Sequence, residues 1–278
     1  MQSRPPEAGE AGRSEGNDAV NVAVCVKQVP SPDAPQRIDR ARGTLVREGA
    51  PVLDDSDSFS VEIALRLVEQ AGGGEVTLVS MAPNGEKAGL RTGLAMGADK
   101  AILVSDDALA ASDALSTAKV LAAAARRSGA QLILAATEST DGYTGTVPVQ
   151  IAELLGLPSV SFAKHVELDG EVLKVQRQTE QGYDEVSCPL PAVVSVTAGV
   201  VEVRYPSFKG IMSARSKPVE ELDLAALGLD PSTVGAAGAR QQVISVEPVE
   251  GRSAGEVIVD EGEAHLRIIA MLDEWKVI

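Results

Sequence analysis

The amino-acid sequence predicts an α/β protein: a mostly parallel, twisted sheet flanked by helices, with an antiparallel excursion and an extended C-terminal arm. Three observations carry that expectation. The 278 residues are 44% hydrophobic but only 3% aromatic, so the core is built from Ala, Val, Leu and Ile, the composition of strands buried on both faces. Short apolar runs alternate with stretches of helical period between Val22 and Ala136, the pattern of βαβ units and a parallel sheet. Alternating runs around Asp169-Gly170 then break that pattern and read as antiparallel hairpins.

Taken in order, Val22 to Val26 is the first strand, ending in Lys27 and the turn Val29-Pro30-Ser31-Pro32. Asp54, Asp55, Ser56, Asp57 and Ser58 offer N-caps for a helix. Its apolar stripe is Val61, Ala64, Leu65 and Val68, and Gly72 to Gly74 stop it. Val76 to Ser80 is the second strand. Asn84 is the expected cap of a helix carrying Leu90 and Leu94, Gly97 ends it, and Ala101 to Val104 is the third strand. Ser112 or Asp113 caps the next helix, with Leu115, Ala118, Ala122 and Ala125 inward and Gly129 past its end, before a fourth strand from Leu132 to Ala136. A further helix runs to about Leu155, and Val160 to Val196 is the antiparallel excursion, with a second turn at Gly182. Beyond Pro206 the expectation is a basic patch, a helix-like run from Val219 to Leu227, a Gly/Ala-rich linker and an amphipathic stretch from Glu261. A tail of that kind buries little by itself, which points to a partner surface.

Forty acidic against 25 basic residues give a net charge of −15, which repels phosphate backbones and anionic membrane surfaces, so nucleic acid is not an expected partner. No apolar run reaches the roughly 20 residues that span a bilayer, and no membrane insertion is expected. Residues 1–18 lack the apolar region of a signal peptide and read as a disordered lead-in rich in Gly, Glu, Ser and Pro. Cys25 and Cys188 form no C-x-x-C pair and have no histidine cluster beside them, so neither a disulfide framework nor a metal site is indicated, and the compartment reads as cytoplasmic.

Neither a P-loop nor a G-x-G-x-x-G fingerprint is present, and His165 and His265 fall in separate segments. No catalytic constellation is indicated. The distinctive stretch is Glu138-Ser139-Thr140-Asp141-Gly142-Tyr143-Thr144-Gly145-Thr146, a polar, glycine-bearing junction between the fourth strand and the next helix. Free N–H groups of the helix's first turn and its dipole would favour a phosphate there. On local chemistry alone, the reading that the same Thr, Asp and Gly residues merely cap and turn is the favoured one.

Four segments together resemble the electron-transfer flavoprotein beta subunit. They are Val22-Ala23-Val24-Cys25-Val26-Lys27-Gln28-Val29-Pro30, Gly93-Leu94-Ala95-Met96-Gly97-Ala98-Asp99-Lys100, the Thr140 to Thr146 loop, and Arg204-Tyr205-Pro206-Ser207-Phe208-Lys209-Gly210-Ile211-Met212. The resemblance implies an adenine-nucleotide alpha-hydrolase-like sheet and a carrier without catalytic residues of its own. It implies a heterodimer whose alpha subunit mainly holds the FAD while this chain clamps it and binds AMP. In bifurcating members a second FAD replaces AMP. The implied electron donors are flavin dehydrogenases such as acyl-CoA dehydrogenases, and the implied acceptor is a membrane quinone oxidoreductase.

By the same resemblance the AMP pocket uses Cys25, Asp54, Asp55, Ser56, Asp57 and Met81, and is closed by the stretch holding Ile133, Thr137, Asp141, Gly142, Tyr143 and Thr144. Of these, Gly142, Tyr143 and Thr144 are implied to hold the phosphate. Cys25 and Met81 are also ordinary core residues at strand ends. Partner recognition falls to residues 204–213, through Arg204, Tyr205, Phe208, Lys209, Ile211 and Met212. Phe208 stands at the position of an apolar anchor, or packs inward against Ile211 and Met212. Two features depart from the family pattern. Asp54 stands where many members carry Asn, and the lysine-rich run after the recognition segment is reduced to Ser213-Ala214-Arg215-Ser216-Lys217. The implied organisation is the lead-in at 1–18, the nucleotide-binding beta domain at 19–218, and a C-terminal arm at 219–278 that packs on the alpha subunit.

Overall fold

A computed structural model describes residues 19–34, 37–47, 49–82, 84–247, 249, 255 and 257–278. The lead-in expected over residues 1–18 lies outside the described residues. Strand β1 (Val22–Cys25) is buried along its whole length. It is followed by β2 (Gln28–Val29), a small hairpin of β3 (Ile38–Asp39) and β4 (Thr44–Leu45), and β5 (Val52–Leu53). Pairing of β5 with β2 closes the base of this excursion.

Helix α1 (Asp55–Gln70) is capped by Asp54, whose side chain accepts from the Ser56 amide at 3.0 Å. Val61, Ala64 and Leu65 are buried and Val68 packs beside them, as the helical period requires. The turn after it admits only glycine at position 74, where a Cβ would lie 1.9 Å from the Val20 carbonyl oxygen. Strand β6 (Val76–Met81), α2 (Ala88–Met96), β7 (Lys100–Val104), α3 (Ala114–Ser128), β8 (Leu132–Ala136) and α4 (Val147–Leu155) continue the alternation. Asp113 is the cap of α3, accepting from the Ser116 amide at 2.8 Å. Asn84 does not cap α2. The helix starts later, and the carboxylate of Glu86 accepts from the amides of Lys87 and Ala88 at 2.9 and 3.1 Å, supplying locally what Asn84 is too distant to give.

The excursion then forms as β9 (Ser159–Asp169), β10 (Val172–Thr179) and β11 (Gly182–Pro189), an antiparallel meander turning at Gly170 and Gly182. Strand β12 (Ala192–Val196) returns parallel to β8 and β9. Helix α5 (Phe208–Ala214) leads to β13 (Val219–Leu222), and a four-residue α6 (Gly235–Gly238) lies beyond. The helix expected from Val219 to Leu227 is therefore corrected. Val219 to Leu222 pair in parallel with Ala101 to Val104 of β7. That pairing satisfies backbone groups that would otherwise form an open sheet edge, a gain that outweighs local helical spacing. Leu222, Leu224 and Val234 are buried in the core, so the chain after Pro206 also buries more than the sequence led us to expect.

Among the described residues the sheet has nine strands in the order β11-β10-β9-β12-β8-β1-β6-β7-β13. Residues of α1 and α2 share one core layer with the sheet, and residues of α3 and α4 share the other. From β1 the chain moves outward through β6 to β7, then returns to β8 on the opposite side of β1. The boundary between β1 and β8 is thus the topological switch point of the sheet. One compact unit extends to Val243, and a second comprises Ile244–Ile278. The second unit carries helix α7 (Ala264–Glu274), on which Leu266, Ile268 and Ile269 are exposed. No helix among the described residues is long and apolar enough to cross a membrane.

Candidate functional site

The carboxyl ends of β1, β6 and β8 open into a cavity of about 600 Å³ at the switch point, where open α/β sheets bind ligands. Cys25 closes β1 and Met81 closes β6, while Thr137 follows β8, and all three line the cavity together with Asp57 from the first turn of α1. The loop after β8 contributes Ser139, Gly142, Thr144 and Gly145.

Helix α4 presents its amino end to this space, with Val147 and Pro148 in the lining. Unlike α1 and α3, it has no side-chain cap. Its first-turn N–H groups at Val147 and Val149, Pro148 having none, and its dipole are left to act on an anion. A Cβ at Gly142 would lie 3.2 Å from Ser139 Oγ and 3.5 Å from Lys27 Nζ. The glycine thus lets the backbone sit close to both a hydroxyl and a cation.

Two carboxylates hold the junction in place. Asp54 is fully buried; one of its oxygens caps α1 and the other accepts from the amide and hydroxyl of Thr140. Asp141 binds Lys27 Nζ at 2.5 Å and also pairs with Arg47. Burial works to raise the Asp141 carboxyl, but the two cations outweigh it and hold the group below the usual carboxylate range. Lys27 Nζ also donates to Ser139 Oγ at 3.1 Å.

Asp57 behaves oppositely. Burial, with the neighbouring Asp54 charge adding to it, pushes this carboxyl well above its ordinary value, although the Lys27 amide donates to it at 2.6 Å. Burial and the nearby Asp57 push the Cys25 thiol up to about 12. Cys25 therefore stays a neutral thiol that shapes the wall and offers no thiolate for chemistry.

Of the residues singled out in the sequence, Cys25, Asp57, Met81, Thr137, Gly142 and Thr144 meet in the cavity lining. Asp54 and Asp141 stand behind the lining and fix it. Asp55 and Ser56 lie in the first turn of α1 outside the lining, and Ile133 is buried in mid-strand against α3 and α4. Tyr143 has a left-handed backbone (φ 47°), donates its amide to the Ser139 carbonyl at 3.0 Å, and is exposed and outside the lining. Lys27 and Arg47 escaped attention as functional groups. A cation directly after an apolar strand was the available signal for Lys27; Arg47 gives none, since its partner Asp141 lies 94 residues away.

The segment 204–213 forms a second group. Arg204 is held inward by Glu62 and Glu69 of α1, with contacts of 2.7 Å to each. Tyr205, Lys209, Ile211 and Met212 are exposed, and Phe208, at the start of α5, is 80% exposed and not packed inward.

Comparison with known proteins places the chain in a family. A family model described as the electron transfer flavoprotein domain matches residues 42–227. The electron transfer flavoprotein subunit beta of Mycobacterium tuberculosis is 38% identical over 93% of this chain and 99% of its own length. The subunit of the same name from Megasphaera elsdenii is 34% identical over 92% and 97%. The Caffeyl-CoA reductase-Etf complex subunit CarD of Acetobacterium woodii is 33% identical over 86% and 92%. The chain belongs to the electron transfer flavoprotein beta-subunit family.

Proposed function

We propose that this chain is the small subunit of a heterodimeric electron-transfer flavoprotein, with FAD held mainly by the alpha subunit and AMP bound in the cavity at the switch point. The observation that carries the nucleotide assignment is the uncapped amino end of α4, facing a cavity that also receives Lys27. Gly142, Thr144 and the first turn of α4 would hold the phosphate, while Cys25, Asp57 and Met81 would wall the remainder. FAD, when bound, supplies the electron chemistry, and the protein supplies binding and orientation. This chain contributes no catalytic residue in the proposal. Its own groups position the nucleotide and keep the junction rigid through Asp54 and Asp141.

The C-terminal arm packs on the alpha subunit, for which the exposed apolar residues of α7 are suited. Flavin dehydrogenases such as acyl-CoA dehydrogenases dock at Phe208 and its exposed neighbours, a quinone oxidoreductase accepts the electrons, and the complex works in the cytoplasm. A second reading puts FAD in the cavity in place of AMP. It draws on the likeness to the subunit of the Caffeyl-CoA reductase-Etf complex and on a cavity volume in the middle of the range for cofactor sites. Denaturing the purified heterodimer and separating the released nucleotides decides between them. One FAD and one AMP per heterodimer supports the first reading, two FAD and no AMP the second.

A further inference from the structure

Helices α2 and α5 cap one another. Lys217, three residues past the end of α5, donates its ammonium to the carbonyls of Leu94, Gly97 and Ala98 at 3.0, 3.2 and 2.6 Å, where α2 ends. In return, Arg91 of α2 donates to the carbonyls of Ala214 and Lys217 at 2.6 and 3.1 Å, where α5 ends. Each helix thus lends the other a cation at its negative end, with both sets of otherwise unpaired carbonyls satisfied.

The two helices also touch through backbone. A Cβ at Gly210 would lie 2.4 Å from the Ala95 carbonyl oxygen, so the glycine lets α5 settle directly on α2. Upstream, Arg204 is clamped to Glu62 and Glu69. Downstream, Ala101 donates its amide to the Pro218 carbonyl at 3.0 Å, fixing the chain to the sheet immediately after Lys217. A seven-residue helix has little stability of its own. These contacts supply it while Phe208, Ile211 and Met212 remain turned to solvent.

We propose that Lys217 and Arg91 are positioning residues for partner docking: they hold α5 in a fixed pose so that Phe208 meets a dehydrogenase without first having to be ordered. The proposal rests on the docking reading of Phe208 given above. Preorganisation lowers the ordering cost of association and leaves the electron-transfer step itself unchanged. Neither residue lines the nucleotide cavity.

The test uses the purified heterodimer, with an acyl-CoA dehydrogenase reduced by its acyl-CoA substrate as donor. Amide hydrogen exchange of residues 208–215 is measured alongside KM and kcat for the donor, in Lys217→Gln, Arg91→Gln, Lys217→Arg and Phe208→Ala. In both Gln variants, α5 exchange accelerates about tenfold and the donor KM rises several-fold, with kcat within about twofold of the parent. Exchange in β1, β6 and β8 and flavin content stay unchanged, and Lys217→Arg recovers part of both effects. Phe208→Ala raises KM without changing α5 exchange. Unchanged α5 exchange in both Gln variants overturns the positioning role, as does a KM that responds to Phe208→Ala but to neither of them. A KM indifferent to Phe208→Ala overturns the docking reading, and the positioning proposal falls with it. If Lys217→Gln fails to fold, Arg91→Gln reads the same reciprocal cap from its other side.

Discussion

Asp54 and Thr140, 86 residues apart, are joined through a single carboxylate oxygen, which accepts from the Thr140 amide at 2.8 Å and from its hydroxyl at 3.0 Å. The other oxygen caps α1 through the Ser56 amide. One buried side chain therefore fixes the start of a helix and the loop after β8 at the same time. Replacing it with alanine removes the cap and leaves the Thr140 amide and hydroxyl short of a partner. Asp54→Ala should cost about 2 kcal/mol or more in unfolding free energy and should also lower nucleotide retention. Denaturant unfolding of the purified chain checks the first effect and nucleotide release the second. A loss of stability with retention unchanged would detach Asp54 from the site.

Asp57 predicts a pH signature. Its folded value lies well above the ordinary 3.8, so between those two values the folded chain keeps a proton that the unfolded chain has released. Stability falls as pH rises through that window. Asp57→Asn carries no such proton, so its stability relative to the parent should improve as pH rises above about 4. Asp141 is shifted the other way, and the stability it contributes is lost as pH falls below the ordinary value; it cancels in this comparison. A difference between variant and parent that stays flat with pH would show that Asp57 ionises normally.

Gly142→Val places branched carbon atoms toward Ser139 and Lys27, whose atoms lie 3.2 and 3.5 Å from the first added carbon. The hydroxyl and the ammonium have room to move aside, so the fold should lose no more than about 1–2 kcal/mol, while the approach to the junction is blocked. The expected result is a folded heterodimer depleted of cavity nucleotide. Full nucleotide occupancy in this variant would place the phosphate elsewhere.

Phe208→Ala should weaken association with a dehydrogenase by about 1–3 kcal/mol, the size of a modest hot spot. Because the ring is 80% exposed, the melting temperature should scarcely move. Partner-dependent turnover measured beside thermal unfolding separates the two. A large drop in melting temperature with normal transfer per folded molecule would mean the ring is part of the fold.

The central strands were legible because burial on both faces leaves an unbroken apolar run, as in Val22 to Cys25 and Leu132 to Ala136. Strand β13 was not, because an edge strand with Glu220 and Glu221 exposed on its two opposite faces has no such run, and its pairing with β7 is non-local. The loop after β8 was legible from its own residues, where glycine, hydroxyls and the start of a helix coincide. The charges around it were not. Lys27, Arg47 and Asp141 come from three distant segments, and no local periodicity reports a triad assembled by topology. The cap of α2 was misread because Asn84 matches the residue type, while Glu86, closer to the helix start, makes the bonds.

The most direct measurement is the identity and amount of nucleotide released when the purified heterodimer is denatured. The proposed assignment predicts one AMP besides one FAD, with AMP lost selectively in Gly142→Val. It also predicts that AMP added to nucleotide-depleted protein raises its stability by about 2.7 kcal/mol at a hundredfold excess over Kd. A heterodimer that releases no adenine nucleotide other than a single FAD, and gains no stability from added AMP or FAD, would contradict the assignment of this cavity as a nucleotide site.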